Sequence, residues 1–347
     1  MQTFQVRGES GLSSIHVGES LKNLESYLPS GCRTIIITDE NIKKYYGADF
    51  PDVPVITIGT GESIKNLATI ETILNELVRL SCDRSDFIVG IGGGIVCDIT
   101  GFAASIFLRG IKFGFVSTSL LSQVDASVGG KNGVNLNAYK NLVGVFNQPE
   151  FVICDIELLN TLPSEEVSNG FAEIVKHALI SDARLFEFIE ENRDKALSLD
   201  HDTIFRLVAD SVRIKSRIVQ QDEKESGERR KLNFGHTIGH AIEKIENPGH
   251  GSAVSMGMVA AAMFSEQKGL MAHEDIMRIN RLLKELNLPV SLTTPASAIV
   301  MAASRDKKKQ GRDLFFVFLE KIGSALVEKI SLDHMNDFIC SVFPEQA

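Results

Sequence analysis

The sequence of 347 residues lacks closely spaced cysteines and long apolar runs. Its five cysteines, at positions 32, 82, 97, 154 and 340, include no CxxC pair. A dispersed, odd set is typical of reduced thiols in a cytoplasmic protein, and it argues against zinc held by cysteine. The sequence contains no run of about 18 apolar residues, so we expect no membrane span. The first residues, MQTFQVRGES, lack a basic segment followed by an apolar core, so we expect no secretory signal.

Positive charge is also in short supply. The chain has 36 Lys and Arg against 45 Asp and Glu, a formal net charge of −9. Such a chain is a poor general ligand for nucleic acid or anionic membranes. An anionic substrate would therefore need basic side chains gathered at one place. With 44% hydrophobic and 23% charged residues the composition is globular, and the length indicates two domains of roughly 100–200 residues each.

Short apolar runs alternate with helical stretches in the first half of the chain. The runs are RTIIITD (33–39), VPVITIG (53–59), FIVGIGGG (87–94), KFGFVST (112–118) and FVICD (151–155). Each is rich in β-branched or aromatic residues, which predicts a strand. A stretch with helical spacing, opened by Ser63, lies between the second and third runs. This alternation predicts parallel strands joined by helical crossovers.

From about residue 164 the pattern becomes helical. Helices are predicted for PSEEVSNGFAEIVKHALI, DTIFRLVADSVRIKSRIVQQDE, RRKLNFGHTIGHAIEKIE, SAVSMGMVAAAMFSEQKG and HEDIMRINRLLKELN. LFFVFLE (314–320) should form a hairpin with SALVEKI. We place a boundary near NTLP, which gives an α/β domain over 1–162 and a mostly α-helical domain over 163–347.

A glycine-rich turn, GIGGGIVCD (90–98), follows one predicted strand and opens a helix. Glycines there let backbone N–H groups approach a pyrophosphate at the positive end of a helix. The alternative is a tight turn without a ligand. Asp39, at the end of another strand, could accept from a ribose hydroxyl or could simply cap a helix. GTGESIKN (59–66) offers Glu62 and Lys65 at a further helix start.

Basic residues are embedded among glycine and asparagine in the middle of the chain. We interpret residues 117–146 as a loop region in which Lys131 and Lys140, the latter beside Asn141, could grip a phosphate or carboxylate. The alternative is a pair of solvated surface lysines. Lys215 and Arg229 flank DEKESGE, and RDKKK (305–309) adds another cluster, whose Lys309 we interpret as solvated.

Three histidines lie within LNFGHTIGHAIEKIENPGHG (232–251). His236 and His240 are four residues apart, so on a helix they share a face. Two histidines and a carboxylate suit a catalytic zinc site with an open position. Glu173, in the apolar stretch GFAEIVKHALI, is the candidate carboxylate, because a buried Glu is costly unless it is paired or binds a cation. The spacing leaves open which two of His236, His240 and His250 bind.

Six blocks in one order resemble the 3-dehydroquinate synthase family. They are GGGIVCDITGFAASIFLRGI, LLSQVDASVGGKNGVN, YKNLVGVFNQP, TLPSEEVSNGFAEIVKHALI, LNFGHTIGHAIE and HGSAVSMGM. The resemblance implies an N-terminal NAD-binding α/β domain, a C-terminal helical domain, a homodimer and one divalent metal, zinc or cobalt. It implies a cytoplasmic lyase of the shikimate pathway that converts 3-deoxy-D-arabino-heptulosonate 7-phosphate to 3-dehydroquinate and phosphate. The implied steps are oxidation, phosphate elimination, reduction and ring closure.

The resemblance also implies a set of site residues. The metal ligands would be Glu173, His236 and His250. Residues that would bind the substrate or act on it are Lys131, Asn141, Lys176, Lys215, Arg229, Asn233, His240 and a lysine of DKK (306–308), together with Arg109, which would reach the partner subunit's site. From the resemblance together with the strand-end and glycine-turn arguments above, the residues expected to line NAD are Asp39, Thr60, Gly61, Glu62, Ser63, Ile64, Lys65, Gly92, Gly93, Gly94, Ile95, Val96, Cys97, Asp98, Thr118, Ser119, Asp125, Lys131, Lys140, Leu158, Leu159, Asn160 and Thr161.

Two rival enzymes fit parts of the same pattern. One is another sugar phosphate cyclase, but the retained Lys176, Lys215, Arg229 and Asn233 suit a substrate that carries a carboxylate. The other is a metal-dependent alcohol dehydrogenase of the same architecture, which would release NADH stoichiometrically. A binding protein without activity would have no need for this set of polar groups.

Overall fold

The chain forms two compact units. The computed structural model describes residues 1–137, 139–307 and 313–345, without the side chains of 303–307. Unit 1 comprises Met1–Val167 and Ile204–Glu223, and unit 2 comprises Ser168–Thr203 and Lys224–Ala347. The domain boundary placed at 162/163 stays a prediction. Among the described residues, no helix combines the length and apolarity that crossing a bilayer requires.

Unit 1 is built on a seven-stranded sheet with a separate hairpin. Its strands are β1 (Gln2–Gly8), β2 (Gly11–Val17), β3 (Thr34–Asp39), β4 (Val55–Ile58), β5 (Phe87–Gly92), β6 (Lys112–Ser117), β7 (Lys131–Leu136), β8 (Tyr139–Phe146) and β9 (Phe151–Cys154). The sheet order is β1-β2-β9-β6-β5-β3-β4, and all pairs are parallel except β1 with β2. The five predicted parallel strands are therefore confirmed.

The core of unit 1 lies on both faces of the central strands. Every residue of β5 is buried, and Ile36, Val89, Val116 and Ile153 pack in one apolar cluster. Strands covered on both faces read as continuous apolar runs, which is why the sequence revealed them. The crossover helices are α1 (Glu40–Tyr46), α2 (Leu67–Arg79) and α3 (Gly94–Ile106).

Two hairpins, β1–β2 and β7–β8, were not predicted from the sequence. The β1–β2 hairpin has few apolar residues, although Val6, Ile15 and Val17 are buried, and it was not predicted. The interpretation of 117–146 as a loop is wrong from Lys131 onward, since β7 and β8 pair antiparallel. The asparagines and glycines of this segment indicated turns. A turn is found only between the two strands, where Asn137 has a left-handed φ of 55°. Asn132 and Val134 are buried, which anchors β7 as a strand.

Unit 2 is mostly helical. The elements after β9 are α4 (Ser164–Ser181), α5 (Ala183–Leu197), α6 (His201–Gln221), α7 (His236–Glu246), α8 (His250–Gln267), α9 (His273–Glu285), α10 (Ala296–Lys307), β10 (Asp313–Lys321), β11 (Ser324–Ser331) and α11 (Leu332–Val342). Helix α6 belongs to unit 1 from Ile204 onward. The hairpin expected at 314–320 is confirmed. The single helix expected over 229–246 is wrong: a 3₁₀ helix, Glu228–Asn233, precedes α7, and Gly235 with φ 77° separates them.

Candidate active site

The three predicted metal ligands sit at the ends or centre of three helices in unit 2. Glu173 lies in the middle of α4, while His236 and His250 are the first residues of α7 and α8. Gly235 and Gly249, with φ 77° and 88°, precede the two histidines. That backbone region is costly for other residues. The glycines beside the histidines therefore turn the chain so that each helix starts with its imidazole at the site.

Helices α7 and α8 cross at glycine. A Cβ added to Gly239 would lie 2.8 Å from the carbonyl oxygen of Ala253, and one on Gly257 would lie 2.0 Å from that of Gly235. The backbones can approach this closely only because those side chains are absent. This packing fixes the separation of the two histidine-bearing helix starts.

The histidines converge on one carboxylate oxygen. His236 Nε2 and His250 Nε2 lie 3.7 and 3.6 Å from Oε1 of Glu173. One ligand atom from each of the three residues lies within 4.8 Å of the others. The rings of His236 and His250 are 5.4 Å apart and tilted by 65°. Two nitrogens and one carboxylate oxygen can thus face a common point.

Burial and charge set the protonation of this trio. Burial alone would raise the pKa of Glu173, but Lys176 and the two histidines outweigh it and hold the pKa well below its ordinary value. Burial, followed by the charge of Lys176, lowers the pKa of His236 well below its usual range. His250 is also penalised by burial, yet its neighbours Glu173 and Glu243 raise its pKa to about 9. Glu173 as an anion and His236 as a neutral imidazole are already in the protonation states that bind a metal, whereas His250 must release a proton when the ion binds.

The residues present fit a divalent cation. Glu173 is fully buried, and neither of its carboxylate oxygens accepts a hydrogen bond from the described residues. Lys176 Nζ forms an ion pair with its Oε2, which leaves Oε1 facing the histidines. A buried carboxylate is costly without such compensation, and two imidazoles with one carboxylate are the donors of many catalytic zinc sites.

The other predicted residues of unit 2 differ in burial and in their contacts. Lys176 and Arg229 are buried, and His240 is exposed with its ring 5.1 Å from that of His236. Asn233 donates through Nδ2 to Oε1 of Glu225. The lysine expected from DKK lies outside the described side chains.

In unit 1, the predicted NAD residues follow the carboxyl ends of five parallel strands. Asp39 ends β3, residues 60–65 follow β4, residues 92–98 span the end of β5 and the start of α3, Thr118 and Ser119 follow β6, and residues 158–161 follow β9. The carboxyl edge is where open α/β sheets bind ligands. Asp39 Oδ1 accepts from the N–H of Ile42, so the helix-capping alternative holds for that oxygen.

A polar network at this edge centres on Lys65. This buried lysine forms an ion pair with Asp98 and donates to Oδ1 of Asn141 at 2.6 Å. Asn135 donates to Glu62 at 2.8 Å and accepts from the N–H of Asn141. The β7–β8 hairpin is thereby tied to the turn after β4, and predicted cofactor and substrate residues share one network.

The remaining predicted residues of unit 1 comprise one ion pair, in which the lysine is buried, and a group of exposed residues. Lys215 is buried and contacts both the carbonyl and the carboxylate of Asp125 at 2.5 Å. Lys131 and Lys140 are exposed on the hairpin. Arg109 is exposed in a strained turn, where it and Leu108 have φ 69° and 50°.

Sequence reasoning missed two carboxylates. Glu243 is 6% exposed, with Oε1 3.7 Å from Nδ1 of His250. Glu225 accepts from Asn233. Glu243 carried a weak signal, since it follows Ala241 and Ile242 in α7 and an acidic residue on an apolar helix face is buried only with a partner. Glu225 carried none, because it lies in the charge run DEKESGE.

Two family descriptions match the chain in succession. Residues 55–169 match the 3-dehydroquinate synthase N-terminal model, and residues 170–309 match the 3-dehydroquinate synthase C-terminal model. A 3-dehydroquinate synthase from Caulobacter vibrioides (strain NA1000 / CB15N) is 40% identical over 315 residues, which cover 86% of this chain and 85% of that protein.

Solved structures share the fold over nearly the full length. A 2-deoxy-scyllo-inosose synthase complexed with carbaglucose-6-phosphate, NAD+ and Co2+ superposes with a TM-score of 0.86 at 26% identity, covering 99% of this chain and 100% of that one. ValA, a 2-epi-5-epi-valiolone synthase from Streptomyces hygroscopicus subsp. jinggangensis 5008, gives 0.87 at 23% identity and 99% coverage of both chains. The predicted fold class, an α/β unit with a mostly helical one, is confirmed.

Proposed function

Because the chain belongs to the 3-dehydroquinate synthase family, we propose that it converts 3-deoxy-D-arabino-heptulosonate 7-phosphate to 3-dehydroquinate and phosphate. The observation that carries this is the convergence of Glu173, His236 and His250 in a chain that matches both family models. The reaction makes it a phosphate-eliminating lyase of the shikimate pathway. We place it in the cytoplasm, because its five dispersed cysteines are typical of a reducing compartment.

Two bound groups would supply the redox chemistry. Glu173, His236 and His250 would hold one divalent metal, zinc or cobalt, which supplies Lewis-acid polarisation of a substrate oxygen. NAD+ supplies a hydride acceptor that is restored within each turnover. The 26% identical 2-deoxy-scyllo-inosose synthase carries NAD+ and Co2+. The donor set here, with its buried carboxylate, suits the same kind of ion.

The chain's own residues would bind and orient the substrate. The donors that a phosphate and a carboxylate require would come from Lys131, Asn141, Lys176, Lys215, Arg229 and Asn233. Most are buried or already hydrogen-bonded, so their positions are fixed before substrate arrives. Fixed donors hold the sugar chain for ring closure. His240, exposed beside His236, would move a proton in acid–base steps.

The carboxyl edge of the sheet would bind NAD+. The first N–H groups of α3 begin directly after β5, and Gly93 at the helix start brings no side chain into that space. Backbone donors at a helix N-terminus favour a pyrophosphate. Lys65 and Asp98 would fix the turn that lines the nucleotide, and Thr118 and Ser119 would border it.

We also propose a homodimer. Arg109 projects from a strained exposed turn whose neighbours Ile106 and Leu108 are 40% and 41% exposed. On β8, Leu142 and Phe146 are 53% and 40% exposed. Exposed apolar residues along a strand favour a partner surface. Arg109 would then be placed to reach the partner subunit's site.

The reaction is tested with the protein, the heptulosonate phosphate, NAD+ and zinc. Phosphate and absorbance at 340 nm are followed together. We expect continuous phosphate release with no lasting rise at 340 nm, because the cofactor is restored. Steady NADH accumulation without phosphate would instead identify an alcohol dehydrogenase. Faster phosphate release from a heptulose 7-phosphate that lacks the carboxylate would identify another sugar phosphate cyclase.

A further inference from the structure

Each ligand histidine has an oxygen near its second ring nitrogen. His236 Nδ1 lies 3.2 Å from the carbonyl oxygen of Phe234. His250 Nδ1 lies 3.7 Å from Oε1 of Glu243. Both Nε2 atoms face Glu173. A neutral imidazole carries one N–H, so an acceptor at Nδ1 leaves the lone pair on Nε2.

We propose that Glu243 is a positioning residue of the metal centre: its carboxylate accepts the Nδ1–H of His250 and keeps Nε2 aimed at the ion. This inference rests on the metal site of the proposed function and names the residue that orients one of its ligands. Carboxylate partners of this kind fix ring orientation and raise ligand basicity.

The geometry of Glu243 suits this role. It lies in α7, two turns after His236, with a side chain only 6% exposed. The separation of 3.7 Å is an ion-pair distance, and a shift of under about 1 Å would complete the hydrogen bond. Glu173 holds the opposite side of the His250 ring. His250 is therefore the only one of the two ligand histidines, among described residues, with a carboxylate near each nitrogen.

A competing arrangement makes Glu243 a ligand. Ligand atoms of His240, Glu243 and His250 also come within 4.8 Å of one another. His240 is exposed, however, whereas Glu173 is fully buried and its oxygens accept no hydrogen bond from the described residues. The burial of Glu173 therefore favours the ion beside it, with Glu243 behind His250.

Cobalt titration of the metal-stripped full chain, without NAD+ or substrate, tests the proposal. We expect Glu243→Leu to bind Co2+ 10–100-fold more weakly, and Glu243→Gln to lose less, because its amide oxygen still accepts from Nδ1. The matched control is Glu246→Gln, a carboxylate on the same helix that accepts from Thr294; it should bind within twofold of wild type. Unchanged affinity in Glu243→Leu would overturn the proposal. So would an equal loss in His240→Ala, which would make Glu243 a ligand.

A spectroscopic readout covers the case in which Glu243→Leu does not fold. In proton spectra of the cobalt-loaded wild type in water, two strongly shifted exchangeable N–H signals are expected, one from each ligand histidine. In Glu243→Gln the His250 signal should shift or broaden while the His236 signal stays. Two unaltered signals would overturn the role of Glu243. If Glu173→Gln and His250→Ala bind Co2+ as tightly as wild type, the assignment of the metal centre is wrong. If those two variants bind weakly and only the Glu243 variants bind like wild type, the metal centre is correct and the positioning role of Glu243 is wrong.

Discussion

Gly257 lies so close to Gly235 that a Cβ on Gly257 would stand 2.0 Å from the carbonyl oxygen of Gly235. Backbone cannot move aside as a side-chain tip can, so Gly257→Ala must push α8 from α7. We expect a loss of about 3 kcal/mol in the free energy of unfolding and at least tenfold weaker Co2+ binding, since the helices carry His250 and His236. Urea unfolding and cobalt titration measure both.

The control for this variant is Gly47→Ala. Gly47 has φ −60°, and its added Cβ would meet only Lys43 Cγ at 3.4 Å. Stability and metal affinity should both stay near wild type. Strong cobalt binding in Gly257→Ala would show that the helix crossing does not set the histidine positions.

The ligand assignment separates the three histidines. Glu173→Ala, His236→Ala and His250→Ala should each lose bound metal, because three protein donors hold the ion. His240→Ala should keep it and lose about 10²-fold or more in kcat if its ring moves a proton. Metal content after dialysis, followed by phosphate release with zinc added back, gives both readouts. Metal lost from His240→Ala and retained in His250→Ala would refute the assignment.

The fold was predictable where burial made the pattern uniform. The strand FIVGIG is buried throughout, so its apolar run identified it without ambiguity. Residues 131–146 were wrongly predicted as a loop, because Asn132, Gly133 and Gly144 are turn-forming residue types that here belong to strands. Tertiary packing overrides their local preference, and the sequence does not show that packing. The break at Gly235 was hidden for the same kind of reason, since a lone glycine in a helical pattern does not reveal its φ.

Removing the charge of Lys65 should weaken NAD+ binding. Lys65→Met leaves Asp98 without its ion pair and takes a donor from Asn141. We expect about 3–5 kcal/mol lower stability from the uncompensated carboxylate and at least tenfold weaker binding of NAD+, measured by calorimetry. Lys43→Met is the control, because Lys43 is an exposed lysine hydrogen-bonded to Thr57. If Lys65→Met binds NAD+ as tightly as wild type, Lys65 is not part of the cofactor site.

Glu223 should make stability depend on pH. It accepts from the N–H groups of Glu9 and Ser10, the Ser10 hydroxyl and Gln148. Burial raises the pKa of Glu223, but these hydrogen bonds outweigh it and lower the pKa below its ordinary value. A depressed carboxyl pKa adds stability that is fully present above the unfolded value, about 4.3, and is lost as pH falls through the folded value.

Glu223→Gln should therefore cost about 1–3 kcal/mol at pH 7, and the difference from wild type should shrink below about pH 4.3. Urea unfolding at pH 7, 5, 4 and 3.5 follows it. Glu25→Gln, at an exposed position, should show no such trend. A difference that stays constant down to pH 3.5 would mean that protonation of Glu223 does not drive the effect.

The proposed homodimer predicts the effect of a charge on β8. Leu142→Glu places a carboxylate on an exposed apolar strand, and burying it against a partner would be costly. Sedimentation should show a dimer for wild type and a shift toward monomer for the variant. Leu12→Glu, at a 40% exposed leucine on β2, is the control. A variant that sediments like wild type would exclude Leu142 from the contact.

The candidate site was predictable in its residue types more than in its arrangement. Sequence identified Glu173 as a carboxylate in an apolar stretch, and the structure places its Oε1 within 3.7 Å of two histidines. Spacing alone put His236 and His240 on one helix face but left open which two of the three histidines bind. His250 follows the Asn-Pro-Gly break and is the first residue of α8. Its position beside His236 depends on the packing of α7 on α8, which the spacing does not reveal.

Unit 1 is discontinuous, since it takes Ile204–Glu223 from the far side of a segment that belongs to unit 2. A ribosome must synthesise two-thirds of the chain before this unit has all its parts. Glu223, the last residue of that returning segment, holds the turn at residues 9 and 10 of the N-terminal hairpin. A fragment cut at residue 167 would thus leave that turn without its acceptor, and any division of the gene for separate expression would need to carry residues 204–223 with the first half.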